Sequence, residues 1–180
     1  MTLYFITGNK GKFEQAKKII PEVEQIDFDL PEIQSLDLKE IIEFKLNEAS
    51  KNTNKEVFCE DISLEINCLN GLPGPLIKWF LNAIGNKGIY DLIKDKEDNS
   101  AKAKIVIGYK NNDDVVFFEE ELKGEIVFPK GDKGFGWDSV FRPKGFDKTL
   151  GEMDLEEKMK INMRGKALLK LKNYLQENKK

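Results

Sequence analysis

An apolar run, Leu3-Tyr4-Phe5-Ile6, passes directly into Thr7-Gly8-Asn9-Lys10-Gly11-Lys12 and then into a helical pattern. In that pattern Phe13, Ala16 and Ile19/Ile20 share one face, and Pro21 ends it. The chain therefore opens as a buried strand that turns sharply into a helix. Such a turn gathers backbone N–H groups and the positive end of the helix dipole at one place, which suits a chain of phosphates. Gly8 and Gly11 would let the backbone come close to that ligand, and Lys10 and Lys12 would neutralise it. The spacing is neither the Walker G-x-x-x-x-G-K-[S/T] nor the dinucleotide-binding G-x-G-x-x-G. An ordinary βα turn with solvated lysines is the plain alternative.

The chain of 180 residues contains no histidine. That removes Ser-His-Asp and Cys-His catalysis, H-E-x-x-H zinc chemistry and imidazole general-base chemistry together. What remains is carboxylate, lysine, arginine and backbone chemistry, an inventory that suits a hard cation bound through oxygen, magnesium first. The formal net charge is −3, which argues against broad binding of nucleic-acid polymers or anionic membranes. No apolar stretch has membrane-spanning length, and neither a secretory leader nor a membrane partner is expected. The two cysteines, Cys59 and Cys68, lie in apolar surroundings, where core thiols in a reducing cytoplasm are the reading for an even but sparse pair.

Ile26, Phe28 and Leu30 alternate as a second strand that runs into Pro31-Glu32. Asp37 and Glu40 look like an acidic capping box for a helix from Leu38 to about Ser50, with Lys45 beside its apolar stripe. Glu60 and Asp61 interrupt a strand-like stretch from Glu56 to Ile66. Acids in mid-strand lower its propensity and need partners if buried, so the pair reads as functional or as salt-bridged. Asn70-Gly-Leu-Pro-Gly-Pro75 leads into a helix stopped by Gly85, with Lys78 in a first turn where a cation is disfavoured unless an anion is near. Another short helix is expected over Gly88 to Lys94. Strands over Ala101 to Tyr109 and Val115 to Leu122 join through a turn at Asn111 to Asp114, and Gly124 to Phe128 extends the ribbon. In Gly131 to Phe141, glycines surround Phe135, Trp137 and Asp138: either the aromatic faces stack on a base, or they plug the core. Asp154 with Glu157 opens a helix, and Ala167, Leu168, Leu171 and Leu175 give the final helix its stripe. Arg164 shares the face of Ala167 and Leu168 and needs a carboxylate, phosphate or carbonyl partner.

In order along the chain, Thr7-Gly8-Asn9-x-x-Lys12, Leu30-Pro31-Glu32, Glu60-Asp61, Asn70-Gly71-Leu72-Pro73-Gly74, Phe135-Gly136-Trp137-Asp138, Thr149-x-x-Glu152-Met153, Glu157-Lys158 and Arg164-x-Lys166-Ala167-Leu168 resemble the inosine triphosphate pyrophosphatase family, nearer its eukaryotic branch. The resemblance implies an α/β fold over residues 1–180, a single domain with an elongated mixed β-sheet flanked by helices and two lobes around a central cleft. It implies a cytoplasmic homodimer that hydrolyses ITP, dITP and XTP to the monophosphate and pyrophosphate with Mg²⁺, for which Mn²⁺ would substitute. By the same resemblance Thr7, Gly8, Asn9, Lys10, Gly11 and Lys12 cradle the triphosphate, and Lys12 assists catalysis. Glu32 and Asp61 bind metal, and Asp61 activates water. Lys45 and Lys78 meet phosphates, and Ile62 adjoins the substrate. Phe135, Gly136, Trp137 and Asp138 hold the base, which Lys158, Met163 and Arg164 also approach. The chain departs from the family in two places. Its Ser-His-Arg triplet reads Asn162-Met163-Arg164, and Ile62 replaces a threonine. A thioether donates no hydrogen bond, and loss of one donor to the 6-oxo edge costs discrimination of about 1–3 kcal/mol. Two alternatives follow: the same chemistry with altered base preference, and a nucleotide-binding module without turnover.

Overall fold

The computed structural model describes residues 2–28, 30–111 and 114–178. Strand β1 (Tyr4–Ile6) leads into α1 (Lys10–Ile19), whose start is fixed by Asn9: its Oδ1 accepts from Lys12 N at 3.0 Å. Strand β2 (Glu24–Ile26) pairs with β1 in parallel, Phe5 opposite Gln25. This strand is shorter than the alternation predicts. The Leu30 N–H donates to Phe28 O at 3.0 Å and so is not given to a neighbouring strand. Phe28 and Leu30 instead pack on the apolar cluster around helix α2 (Leu38–Ser50). Asp37 caps that helix through Lys39 N at 2.8 Å, but Glu40 does not close the box, because its Oε2 accepts from Ser35 Oγ at 2.7 Å.

Strand β3 (Val57–Ile66) pairs in parallel with β1 and antiparallel with β4 (Pro73–Gly74). Helix α3 (Ile77–Ile93) is two helical runs joined at Gly85, whose φ of 64° and ψ of −179° are not helical. This is the break expected there. Strands β5 (Ser100–Asn111) and β6 (Asp114–Ile126) carry the predicted ribbon, while Asn112 and Asp113 of its expected turn lie outside the described residues. Strand β7 (Phe141–Pro143) pairs antiparallel with β6, and α4 (Leu155–Lys160) and α5 (Met163–Glu177) complete the chain. Among the described residues the strands form one mixed seven-stranded sheet in the order β2-β1-β3-β5-β6-β7, with β4 on β3. The α/β class with a mixed sheet and helices is therefore as the motifs imply.

The chain forms two compact units. Unit 1 comprises residues 1–61, 105–120 and 163–180, and unit 2 comprises 62–104 and 121–162. In unit 1 the sheet is covered on both faces. Leu3, Phe5, Phe58, Ile105 and Ile107 pack on Ala16 of α1 and Ala167, Leu168 and Leu171 of α5. Ile6, Val57, Cys59 and Val106 pack on Leu38, Ile42 and Leu46 of α2. Burial on both faces accounts for the apolar composition of β1 and the start of β3. In unit 2 Leu64, Ile66, Ile77, Ile89, Ile93, Val140 and Phe141 are buried. Both cysteines are free thiols, and no helix among the described residues is long and apolar enough to cross a membrane.

Candidate active site

The pleat of β3 separates its two acids. Phe58 faces α1 and α5 and Cys59 faces α2; successive strand residues point to opposite sides, so Glu60 follows Phe58 and Asp61 follows Cys59. Glu60 is the buried member, its side chain 2% exposed. A carboxylate taken out of water needs cationic partners and hydrogen bonds, and two elements supply them. Arg164, in the first turn of α5, donates Nε to both Glu60 oxygens at 2.9 and 3.0 Å, and Lys12 Nζ of α1 lies 3.1 Å from Oε1. Arg164 Nη1 also donates to Gln15 Oε1 at 3.1 Å, one turn along α1 from Lys12.

On the other face, Lys45 of α2 places Nζ 2.8 Å from Asp61 Oδ2 and 2.8 Å from Glu32 Oε1. Desolvation alone would lower the Lys45 pKa, but the two carboxylates outweigh it and the value is raised. Two hard oxygen donors thus converge on one cationic centre. That donor set fits magnesium, which takes one or two protein carboxylates and completes its shell with phosphate oxygens and water. No group of three or more Cys, Asp or Glu among the described residues forms a metal cage by itself. Cys59, which precedes the two acids on β3, is buried; desolvation first, then the charges of Asp61 and Glu60, outweigh the lowering by Lys45 and Lys12 and push its thiol up to about 12.

The opening turn is held from three sides. Thr7 N donates to Ile26 O at 3.0 Å, Gln25 Nε2 donates to Thr7 O at 2.6 Å, and Asn9 N donates to Thr7 Oγ1 at 3.1 Å. Gly8, Asn9, Lys10 and Gly11 are exposed, and the first turn of α1 carries lysines and no acid. Cations at the positive end of a dipole are unfavourable unless an anion joins them. Asp27, which sequence reasoning passes over, lies against this turn: a Cβ on Gly8 would come 2.9 Å from its Oδ1.

Unit 2 holds the second group. The aromatics of the glycine-rich loop divide between the two readings. Phe135 is 69% exposed, whereas Trp137 is 8% exposed and packs edge-on against Phe141 with centroids 5.4 Å apart. Trp137 therefore plugs the core. Asp138 pairs with Lys158 Nζ at 2.9 Å, and the same ammonium donates to Lys133 O. Lys158 is carried on α4, whose start is a full capping box between Asp154 and Glu157, with Glu157 also paired to Lys148 at 2.8 Å. The Thr149-x-x-Glu152 motif is a brace: Glu152 Oε2 accepts from Thr149 N at 2.9 Å, and Thr149 Oγ1 donates to Lys130 O at 2.8 Å. Lys78 is exposed in the first turn of α3, its Nζ 5.9 Å from the Trp79 ring centroid, and Ile62 is half-buried. Met163 packs on the α1–α5 core cluster. Besides Asp27, Gln15 and Asn86 are residues that sequence reasoning does not single out, while Glu60 takes the salt-bridged reading offered for the acidic pair. Only the spacing of Lys12 and Gln15, three apart on a helix, signals any of them.

The sequence profile of the Ham1 family matches residues 3–174. The chain is 37% identical over 183 residues to the inosine triphosphate pyrophosphatase of Schizosaccharomyces pombe, covering 99% of this chain and 97% of that one. It is 39% identical to the dITP/XTP pyrophosphatase of Methanopyrus kandleri, with 99% and 98% covered. Its fold matches the solved structure of a HAM1 protein from Coxiella burnetii with a TM-score of 0.87 at 26% identity, over 98% of this chain and 100% of that one.

Proposed function

This chain belongs to the Ham1 family, and on that premise we propose that it hydrolyses ITP, dITP and XTP to the monophosphate and pyrophosphate, clearing non-standard purines from the nucleotide pool. The observation that carries the proposal is the convergence of Glu32 and Asp61 on one cationic point, on the strand that pairs with the one leading into the Thr7–Lys12 turn. Phosphoryl transfer rests mainly on positioning and charge neutralisation, and this chain supplies both without histidine. The exposed turn and first helical N–H groups would receive the phosphates, with Lys10, Lys12, Lys45 and Lys78 balancing their charge. Asp61 would orient the attacking water and take its proton. Glu32 and Asp61 would hold Mg²⁺, which when bound supplies charge neutralisation at phosphate oxygens. Phe135 would offer its exposed face to the base, with Asp138, held by Lys158, at its edge.

Incubation with ITP, XTP, dITP and ATP in the presence of Mg²⁺, with detection of pyrophosphate, tests the reading. Asp61→Asn should lower turnover by about 10²–10⁴-fold, the range for loss of a general base, while the variant still binds ITP. Saturable binding with no pyrophosphate from any triphosphate would leave a non-catalytic module. A second reading, altered base preference, is favoured by Met163, whose side chain is spent on the core cluster and has no N–H to offer a base. In the same panel, a better kcat/KM for a triphosphate other than ITP or XTP would establish it. Loss of turnover on chelation and its return with Mg²⁺, or with Mn²⁺ in its place, checks the metal. A cytoplasmic homodimer is part of the proposal, supported by the motif resemblance; a solution mass of twice the chain's would bear out the dimer.

A further inference from the structure

Asn86 stands where α3 resumes after Gly85. An asparagine at the start of a helical run ordinarily turns its Oδ1 onto the N–H two or three residues ahead. Here Nδ2 instead donates to Gly136 O at 2.8 Å, and Oδ1 is shut off from solvent with no hydrogen-bond partner among the described residues. The bond to a carbonyl settles which end of the amide is which, because a carbonyl requires a donor. A buried acceptor left unmet is costly, and in a native protein it needs a reason.

The surroundings supply one. Asn86 lines a cavity of about 230 Å³ with Phe135, Asp138, Ser139 and the glycines of the same loop. Gly134 keeps the space open, since a Cβ there would strike Asp138 Oδ2. Asp138 is already engaged by Lys158 Nζ at 2.9 Å and receives Phe135 N at 3.4 Å. Asn86 Oδ1 is a buried acceptor without a partner among the described residues, on a residue that lines the same cavity as the exposed Phe135. A flat face with an adjacent acceptor suits a heteroaromatic base that has a ring N–H.

We propose that Asn86 is a specificity-determining residue whose Oδ1 accepts the ring N–H that a 6-oxopurine carries and adenine lacks. The proposal rests on the reading that the Phe135–Asp138 loop holds the base. Adenine presents a lone pair at that ring position, so acceptor would face acceptor. A site built to pair a polar group discriminates strongly against the analogue that cannot pair with it. The residue thus supplies base selection on unit 2 in a chain whose family histidine is Met163.

The test compares wild type, Asn86→Ala and Asn86→Asp with ITP, XTP and ATP. Asn86→Ala should raise KM for ITP and XTP about tenfold and should not raise it for ATP, whose opposed acceptor it removes, as expected for one hydrogen bond lost from a specificity site. The ITP-to-ATP ratio of kcat/KM then falls about tenfold. Asn86→Asp, which keeps an acceptor oxygen, should retain more of that ratio than alanine does. Equal losses for ITP and ATP would reduce Asn86 to a prop for Gly136 and overturn the proposal, as would an unchanged ratio. The excess of the ITP-induced over the ATP-induced rise in melting temperature, read in the same proteins, reports the contact without turnover, and its persistence in both variants would also overturn it. A wild type that releases pyrophosphate from no triphosphate defeats the parent reading. An active wild type with an unaltered ratio in Asn86→Ala defeats this one alone.

Discussion

Glu60 ties two helices to strand β3. Its buried carboxylate fastens Lys12 from α1 and Arg164 from α5 to one strand position. Removing one partner from a buried ion pair costs about 3–5 kcal/mol, because the remaining charge is left uncompensated. Glu60→Gln should therefore lose about 3 kcal/mol of stability, at the low end because the amide oxygen still accepts, read as a shift in the urea midpoint. Lys12 and Arg164 would also lose their fixed positions, so KM for ITP should rise more than kcat falls. Asp61→Asn should show the converse, a fall in kcat with binding retained. If the two variants behave alike, the division of the acids between holding cations and activating water is wrong.

At the scale of an element, α4 shows how a weak helix is made to place a functional side chain. Six residues are too few for an independent helix, and Leu155–Lys160 is held by the reciprocal bonds of Asp154 and Glu157, 2.9 and 3.0 Å long. Asp154→Ala should cost about 1 kcal/mol, the usual worth of an N-cap. Because Lys158 is carried by this helix, the loss should appear as faster amide exchange over α4 and a higher KM, with kcat held. The capping box was legible in the sequence, since it needs only two residues at fixed spacing. So were α2, whose bounds follow from Asp37 and the apolar stripe, and the break at Gly85. The shortness of β2 was not. Its alternation through Leu30 is sound locally, but packing against the α2 cluster claims Phe28 and Leu30 instead. The Phe135–Asp138 loop was half legible: its composition left base stacking and core plugging open, and the seat of Trp137 on Phe141 depends on contacts between loop and strand.

For the molecule as a whole, the buried charges predict a stability that declines in alkali. The Cys59 thiol keeps its proton to about pH 12 in the native state, against an ordinary value of 9.0. Between those values the unfolded chain holds fewer protons than the native one, so stability should fall by about 1.4 kcal/mol per pH unit. Lys45 acts in the same direction but higher: its raised native value preserves its contribution below 10.5, and the contribution is lost as pH rises through that raised value. Urea unfolding across this range should show the slope, and Cys59→Ala should flatten its lower part. Native Cys59 should also resist alkylation at neutral pH, while Cys68, only partly buried, reacts faster. By itself the sequence determined the opening strand, turn and helix, the exclusion of imidazole chemistry that follows from having no histidine, and the resemblance to a family, because spacing, capping and residue inventory are properties of neighbours along the chain. Only the tertiary structure decided that Glu60 and Asp61 serve opposite faces, that Arg164 is held by a buried acid, that Met163 packs against the core, and that Asn86 Oδ1 is buried without a partner among the described residues. Each of those turns on which distant side chain a strand face or helix turn meets, and packing settles that, not sequence proximity.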